Sequence, residues 1–386
     1  MNAYITQLSA VLPGKPVSND EMENVLGMVA GKPSRARRLV LRSNGISSRH
    51  YVVDPATGLP THTNAQLAAE AVRGLAPQGQ ALPDIDCLAC GTTMADQTMP
   101  SHASMVHGEL GLPPLEVASM AGVCLSSLSA MKYAWLGVKG GEFKRAVSCG
   151  SETPSALMRA RYYQEEVDAQ IAALEAQPEI AFERDFLRWM LSDGAGAALI
   201  EGQPAAQGLS LRIDWIVERS FADTMAACMY AGAEKQDDGS LKGWATFEPQ
   251  AWLDQSLFTI RQDVKQLNQH IMPYTVERGM AEVLKLHPEL KAEHIDWFLP
   301  HYSSAYFRER AFASLVAAGF EIPYERWFTN LSTKGNTGSA SIYIILEELF
   351  HSGQLKPGQR LLGYVPESGR FSTGFIHLTV CDAGQP

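Results

Sequence analysis

The chain has 386 residues, 46% of them hydrophobic, and a formal charge of −10 at pH 7. It can bury a large core, and its acidic balance argues against a surface built to neutralise phosphates, so no nucleic-acid partner is expected. No stretch reaches the roughly 18 uninterrupted apolar residues of a membrane span, and the start has no charged and then apolar leader. Six cysteines are too sparse for a disulfide framework, so a cytoplasmic protein away from the membrane is expected.

Short apolar runs alternate with helical patterns along the chain, which predicts layered α/β architecture. Gly31 to Arg38 opens a basic run that continues through Arg42 and Arg49. On an acidic protein such a run suits either a carrier-docking face or a solvated helix face. Ile85 to Gly91 reads as a buried strand in which Cys87 and Cys90, three apart, point to opposite faces, so neither a zinc site nor a redox pair is expected there.

Cys124 follows Ala121-Gly-Val and is followed at once by a helical stretch to Trp135. A sulfur at a helix start is expected to be acidified by unpaired N–H groups, making it a nucleophile; the same segment equally suits a buried core cysteine. Arg145 to Gly150 and Ala195 to Ile200 read as strands, with an Ala-, Glu-, Gln- and Arg-rich helical segment between them at about 156–190. A second half begins near Leu209 with an alternating strand, which divides the chain into 1–205 and 206–386.

In the second half, Ile295 to Pro300 delivers His301 at a strand end, where α/β enzymes place chemistry. Asn336 lies in the glycine-flanked turn Lys334 to Ser341, which opens a long apolar helix to Phe350; its amide is an enolate-stabilising donor or simply part of a tight turn. Strands follow near Gln359 to Tyr364 and Phe371 to Val380.

Together these segments resemble the β-ketoacyl-acyl-carrier-protein synthase III family of the thiolase superfamily. The resemblance rests on succession: Gly45-Ile-Ser-Ser-Arg49, Asp86 through Thr93, Pro100-Ser101, the Cys124 helix, Val147-Ser-Cys-Gly-Ser-Glu152, Asp193 to Ala197, His301, Gly335-Asn-Thr337, Lys356-Pro-Gly358 and Ser368-Gly369. It implies a thiolase fold, two similar α/β halves packed as five layers α-β-α-β-α, with 156–190 as a helical insertion. It also implies a ketosynthase performing Claisen condensation with Cys124, His301 and Asn336 as catalytic residues and the N–H groups of Cys124 and Gly369 as the oxyanion hole. No cofactor and no metal is implied, the substrates being carried on phosphopantetheine of an acyl carrier protein or coenzyme A, and the assembly implied is a homodimer.

The chain departs from that pattern at His301-Tyr-Ser-Ser304, at Pro366-Glu-Ser-Gly-Arg370 in place of a glycine triplet, and in the long run from Val117 to Cys124. These departures resemble the branch that makes cyclohexanedione precursors of dialkylresorcinols and stilbenes. The resemblance implies a 2,5-dialkylcyclohexane-1,3-dione product. Glu152, ending a strand near the site, is expected to be a structural hydrogen-bond partner or a proton shuttle in ring closure; Met99 is expected to line the neighbouring subunit's acyl tunnel, and Arg38, Arg42 and Arg49 to meet the carrier or form a solvated face. Simple initiation or pyrone-forming condensation is the alternative, and acyl transfer or thioester hydrolysis on the same fold is a more distant one.

Overall fold

The computed structural model describes residues 1–34, 37–77, 79–162 and 187–383. Nine strands form one continuous sheet: β1 Tyr4–Val11, β2 Cys87–Thr92, β3 Glu116–Ala121, β4 Arg145–Glu152, β5 Gly194–Glu201, β6 Ser210–Ser220, β7 Trp297–Pro300, β8 Arg360–Glu367 and β9 Ser372–Cys381. Their spatial order is β7-β8-β9-β6-β1-β5-β4-β2-β3. The expected strands all overlap these elements, several of them starting one or two residues early, and most are runs of small and apolar residues because they are buried on both faces.

The order contains the same pattern twice. In the first half β2 runs parallel to β3 and to β4, and β5 returns antiparallel between β4 and β1. In the second, β7 runs parallel to β8, and β9 returns antiparallel between β8 and β6. A parallel bridge from Phe298 to Trp327 stands where the first half has β3. The halves join where β1 meets β6, Tyr4 opposite Arg212 and Ile5 opposite Leu211.

Helices α1 Arg37–Asn44, α2 Asn64–Arg73, α3 His102–Leu110, α4 Ser126–Gly140, α5 Val264–Met272, α6 Gly279–Leu286, α7 Arg308–Ala317 and α8 Ser341–His351 supply the other layers. One apolar cluster packs α4 and α8 between strands of both halves, joining Leu128, Met131, Ile342 and Ile345 to Ile5, Ala89, Leu361 and Ile376. A second lies under α2 and α3, and a third under α5, α6 and α7. The five expected layers follow: outer helices, one half of the sheet, two central helices, the other half of the sheet, outer helices. Cys87 belongs to the central cluster and Cys90 to the outer one, so the pair does face opposite ways.

The expected helical segment at about 156–190 lies mostly outside the described residues. Its described ends, Pro154–Ala156, Ala160–Tyr162 and Leu187–Trp189, are single 3₁₀ turns. Residues 221–262 form a feature that sequence patterning missed. Two small ribbons, Ala233–Lys235 with Leu241–Gly243 and Met229–Tyr230 with Arg261–Gln262, carry it, and their strands are too short to show periodicity.

Candidate active site

The central helices bring the site together. Gly91 in β2 lets the start of α4 lie against the sheet, since a Cβ there would sit 2.4 Å from the Ser127 nitrogen. Ser127 donates its hydroxyl to the Ser339 carbonyl, and Tyr343 of α8 donates to the Ser127 carbonyl at 3.0 Å. The starts of α4 and α8 are thus tied end to end, and the turns that precede them, with Cys124 and Asn336, face the same space.

Asn336 is held by its backbone, donating to the Met190 carbonyl at 3.0 Å and accepting from the Ser192 amide at 2.8 Å. Gly335 makes the approach possible: its φ is +72°, and a Cβ there would meet Ser192 at 2.8 Å. The Asn336 side-chain oxygen accepts the Gly338 amide at 3.0 Å, which fixes the orientation of the carboxamide. His301 follows β7 and donates its amide to the Tyr364 carbonyl at 2.8 Å. Burial pushes its imidazole down to about 4, so the ring is neutral near pH 7.

Cys124, His301 and Asn336 line one cavity, walled otherwise by mostly apolar side chains that include Met190, Met229, Ile271 and Phe307. Its free volume is about 40 Å³, room for little more than a water or two, so anything larger must displace side chains. Methionine is suited to that because its unbranched thioether repacks readily.

The thiol corrects one expectation. Instead of being acidified at the helix start, Cys124 is pushed well up, first by burial and then by the carboxylates Glu152 and Glu367. The resting sulfur is therefore a thiol, and the helix start does not outweigh burial beside two acidic groups.

Glu152 ends β4 beneath the site. One oxygen accepts from the Thr93 amide at 2.9 Å, the Thr93 hydroxyl at 2.5 Å and the Ser339 amide at 3.2 Å, while burial raises the carboxyl above its ordinary value. Gly369 lies in the turn after β8, its carbonyl accepting from the Cys228 amide at 2.8 Å. Met99 stands 79% exposed just ahead of α3.

The basic run divides. Arg38 and Arg42 are exposed on α1. Arg49 is fully buried, donating to the Trp189 carbonyl at 2.7 Å and to Asn19, so the docking role expected for it is corrected. It holds the wall segment that carries Leu187 and Met190, and offers no guanidinium to a carrier. Sequence reasoning also missed Met229 and Gln262, which line the cavity from the short ribbon at 229–262.

The family of the 3-oxoacyl-[acyl-carrier-protein] synthase III C terminal matches residues 287–369, the stretch that carries His301, Asn336 and Gly369. A β-ketoacyl-[acyl-carrier-protein] synthase III of Cereibacter sphaeroides is 25% identical over 368 residues, covering 94% of either chain. The chain is similar to ketosynthase III along nearly its whole length. Among solved structures, ketosynthase III of Pseudomonas aeruginosa superposes with a TM-score of 0.71 at 18% identity over all of both chains. OleA of Xanthomonas campestris, with bound lauric acid and lauroyl-CoA, gives 0.70 at 19% over 98% of this chain and 99% of its own. The fold is that of the ketosynthase III enzymes. Among the described residues no helix is long and apolar enough to cross a membrane.

Proposed function

We propose that the protein is a ketosynthase III-type condensing enzyme that joins a β-ketoacyl thioester to a second acyl thioester through an acyl-Cys124 intermediate and closes the product to a 2,5-dialkylcyclohexane-1,3-dione. The observation that carries the condensing chemistry is the meeting of a thiol, a neutral imidazole and an oriented carboxamide on one mostly apolar cavity.

Cys124 attacks the thioester carbonyl and the carrier thiol leaves with the proton. The charge that gathers on the carbonyl oxygen is received by the N–H groups of Cys124 and Gly369. His301 and Asn336 then hold the thioester oxygen of the second substrate. Because the Asn336 oxygen is already engaged by Gly338, its nitrogen is the donor, and a neutral His301 adds a second donor without a net charge. Both interactions strengthen as the enolate forms, which is the condition for lowering the barrier. The enolate forms as the second substrate loses an α-proton, its carbon attacks the acyl-Cys124 carbonyl, and the departing Cys124 thiolate takes up a proton to return to the thiol.

Glu152 is the proposed proton shuttle for the second bond. That bond forms when the carbon between the two β-ketoacyl carbonyls loses a proton and adds to the β-carbon of the other acyl unit, which is α,β-unsaturated and whose α-carbon takes the proton back. Water then releases the remaining thioester as the carrier thiol and carbon dioxide. A buried carboxyl with a raised affinity for protons is suited to accepting one from carbon and returning it. The carrier, an acyl carrier protein or coenzyme A, is met by Arg38 and Arg42. The enzyme acts as a homodimer in which Met99 reaches the neighbouring tunnel; β3 ends the sheet with exposed side chains, which leaves an edge for a second copy.

The relatives named β-ketoacyl-[acyl-carrier-protein] synthase III favour a second reading, a single condensation with a linear product. Incubating the enzyme with a β-ketoacyl thioester and an acyl thioester separates the two. A cyclic dione supports ring closure, and linear products or pyrones alone refute it.

A further inference from the structure

Glu152 and Glu367 are the last residues of β4 and β8, strands that hold the same place in the two repeated halves. Both carboxyls raise the Cys124 thiol, so the nucleophile feels a related pair of acids. Glu152 is absorbed by the proposed chemistry; Glu367 is not.

The Glu367 carboxyl spans two loops. In the nucleophile loop, a Cβ on Gly122 would lie 3.7 Å from one oxygen, and the Val123 backbone lowers the carboxyl's affinity for protons. On the other side, a Cβ on Gly369 would meet the second oxygen at 2.7 Å. The turn that follows is fixed from behind by the 221–262 segment. The Cys228 amide donates to the Gly369 carbonyl at 2.8 Å, the Ser368 hydroxyl to Gln262 at 3.2 Å, and the Phe221 amide to the Phe371 carbonyl at 2.9 Å. Phe371 is held at a φ of +58°, a left-handed conformation that a bulky residue adopts only where its surroundings impose it.

We propose that Glu367 is a positioning residue of the acylation step, joining the nucleophile loop to the Gly369 turn and, only in its uncharged form, allowing negative charge to gather on the Cys124 sulfur and the acyl oxygen. This rests on the reading of Cys124 as the acyl acceptor. An ionised carboxyl at this place opposes both the thiolate and the tetrahedral oxyanion, whereas a neutral one opposes neither.

Burial pushes Glu367 up to about 7, against the Val123 amide and with help from Glu218, so both forms are populated near neutral pH. Glu218 of β6 is itself 3.5 Å from Lys132 of α4. The Cys124 thiol feels Glu367 as well as Glu152, and Arg370, three residues along the chain, is turned to another partner, its Nε donating to the Met225 carbonyl at 2.6 Å. The 221–262 segment meets the turn with uncharged Met225, Cys228, Met229 and Gln262.

The test uses the full chain, wild type beside Glu367→Gln, Glu367→Ala and Glu152→Gln. Alkylation of Cys124 by iodoacetamide, read by peptide mass, and single-turnover acylation by an acyl-CoA are followed across neutral pH. The Glu367→Gln to wild-type rate ratio is expected near one in mild acid and to rise to ~10-fold in mild base, with its midpoint near neutrality, in both assays. Glu367→Ala, which loses the bridge, is expected to acylate slowly at every pH, and the wild-type alkylation profile alone to carry the inflection. A flat ratio in folded Glu367→Gln, or an inflection abolished only by Glu152→Gln, overturns the proposal. Wild-type enzyme that alkylates at Cys124 but accepts no acyl group would instead count against Cys124 as acyl acceptor.

Discussion

The side-chain oxygen of Asn336 accepts the Gly338 amide at 3.0 Å, and this one contact decides which end of the carboxamide serves the cavity. An aspartate at 336 would keep the acceptor, lose the donor and place a negative charge beside the developing enolate. Asn336→Asp is therefore expected to leave Cys124 acylation nearly intact while condensation falls by ~10²- to 10³-fold, the size of losing an oxyanion donor. Single-turnover acylation followed by product formation checks it; equal loss in both steps would contradict the assignment.

His301 is held neutral by burial, which pushes it down to about 4. A group whose folded-state value is depressed destabilises the fold as pH falls from its ordinary value near 6.5, because the unfolded chain takes up the proton first. Condensation measured from pH 5.5 upward is accordingly expected to show no acid limb from His301. His301→Gln is expected to make stability fall less steeply below pH 6.5 than in wild type, a difference that thermal unfolding at several pH values will reveal.

Asp193 is a fixed structural acid at the entry to β5. Its oxygens accept from the Val52 amide at 2.6 Å, the Ser155 amide at 2.9 Å and the Ser155 hydroxyl, and burial pushes it up to about 7. Asp193→Ala leaves buried N–H groups without an acceptor and is expected to cost about 2–4 kcal/mol in chemical denaturation. A loss below about 0.5 kcal/mol would mean the loop finds other acceptors.

The basic residues separate by burial. Arg49→Ala is expected to lower the melting temperature, because Trp189 loses its donor and a cavity opens beneath the Leu187–Met190 wall. Arg38→Glu with Arg42→Glu is expected to leave melting unchanged and to raise KM for a carrier-protein substrate several-fold, with a salt dependence that wild type shares only in part.

How much of this was legible in the sequence depended on the length and purity of each signal. β4 is a run of small and apolar residues between charged ends, β5 is nearly all apolar, and α8 is an apolar helix with its glycine turn, so their type and place were readable. Gly335, with its positive φ and close approach to Ser192, announced the Asn336 turn. The ribbon that carries Met229 and Gln262 was not readable, because two-residue strands have no period and Arg261-Gln262-Asp263 looks like a solvated loop. The charge state of Cys124 was misjudged for another reason. Helix geometry is local and visible in sequence, whereas the burial of the sulfur, and then the approach of Glu152 and Glu367 from far along the chain, come only with folding. Arg49 likewise read as part of a charged run until its partner, the Trp189 carbonyl, was placed against it.

Intact-mass spectrometry of the wild-type enzyme and of Cys124→Ser after exposure to an acyl thioester tests the central claim most directly. A single acyl adduct that maps to Cys124 in wild type and is missing from the folded variant is the expected result. An equal adduct on Cys124→Ser, or one that maps to another cysteine, would contradict it.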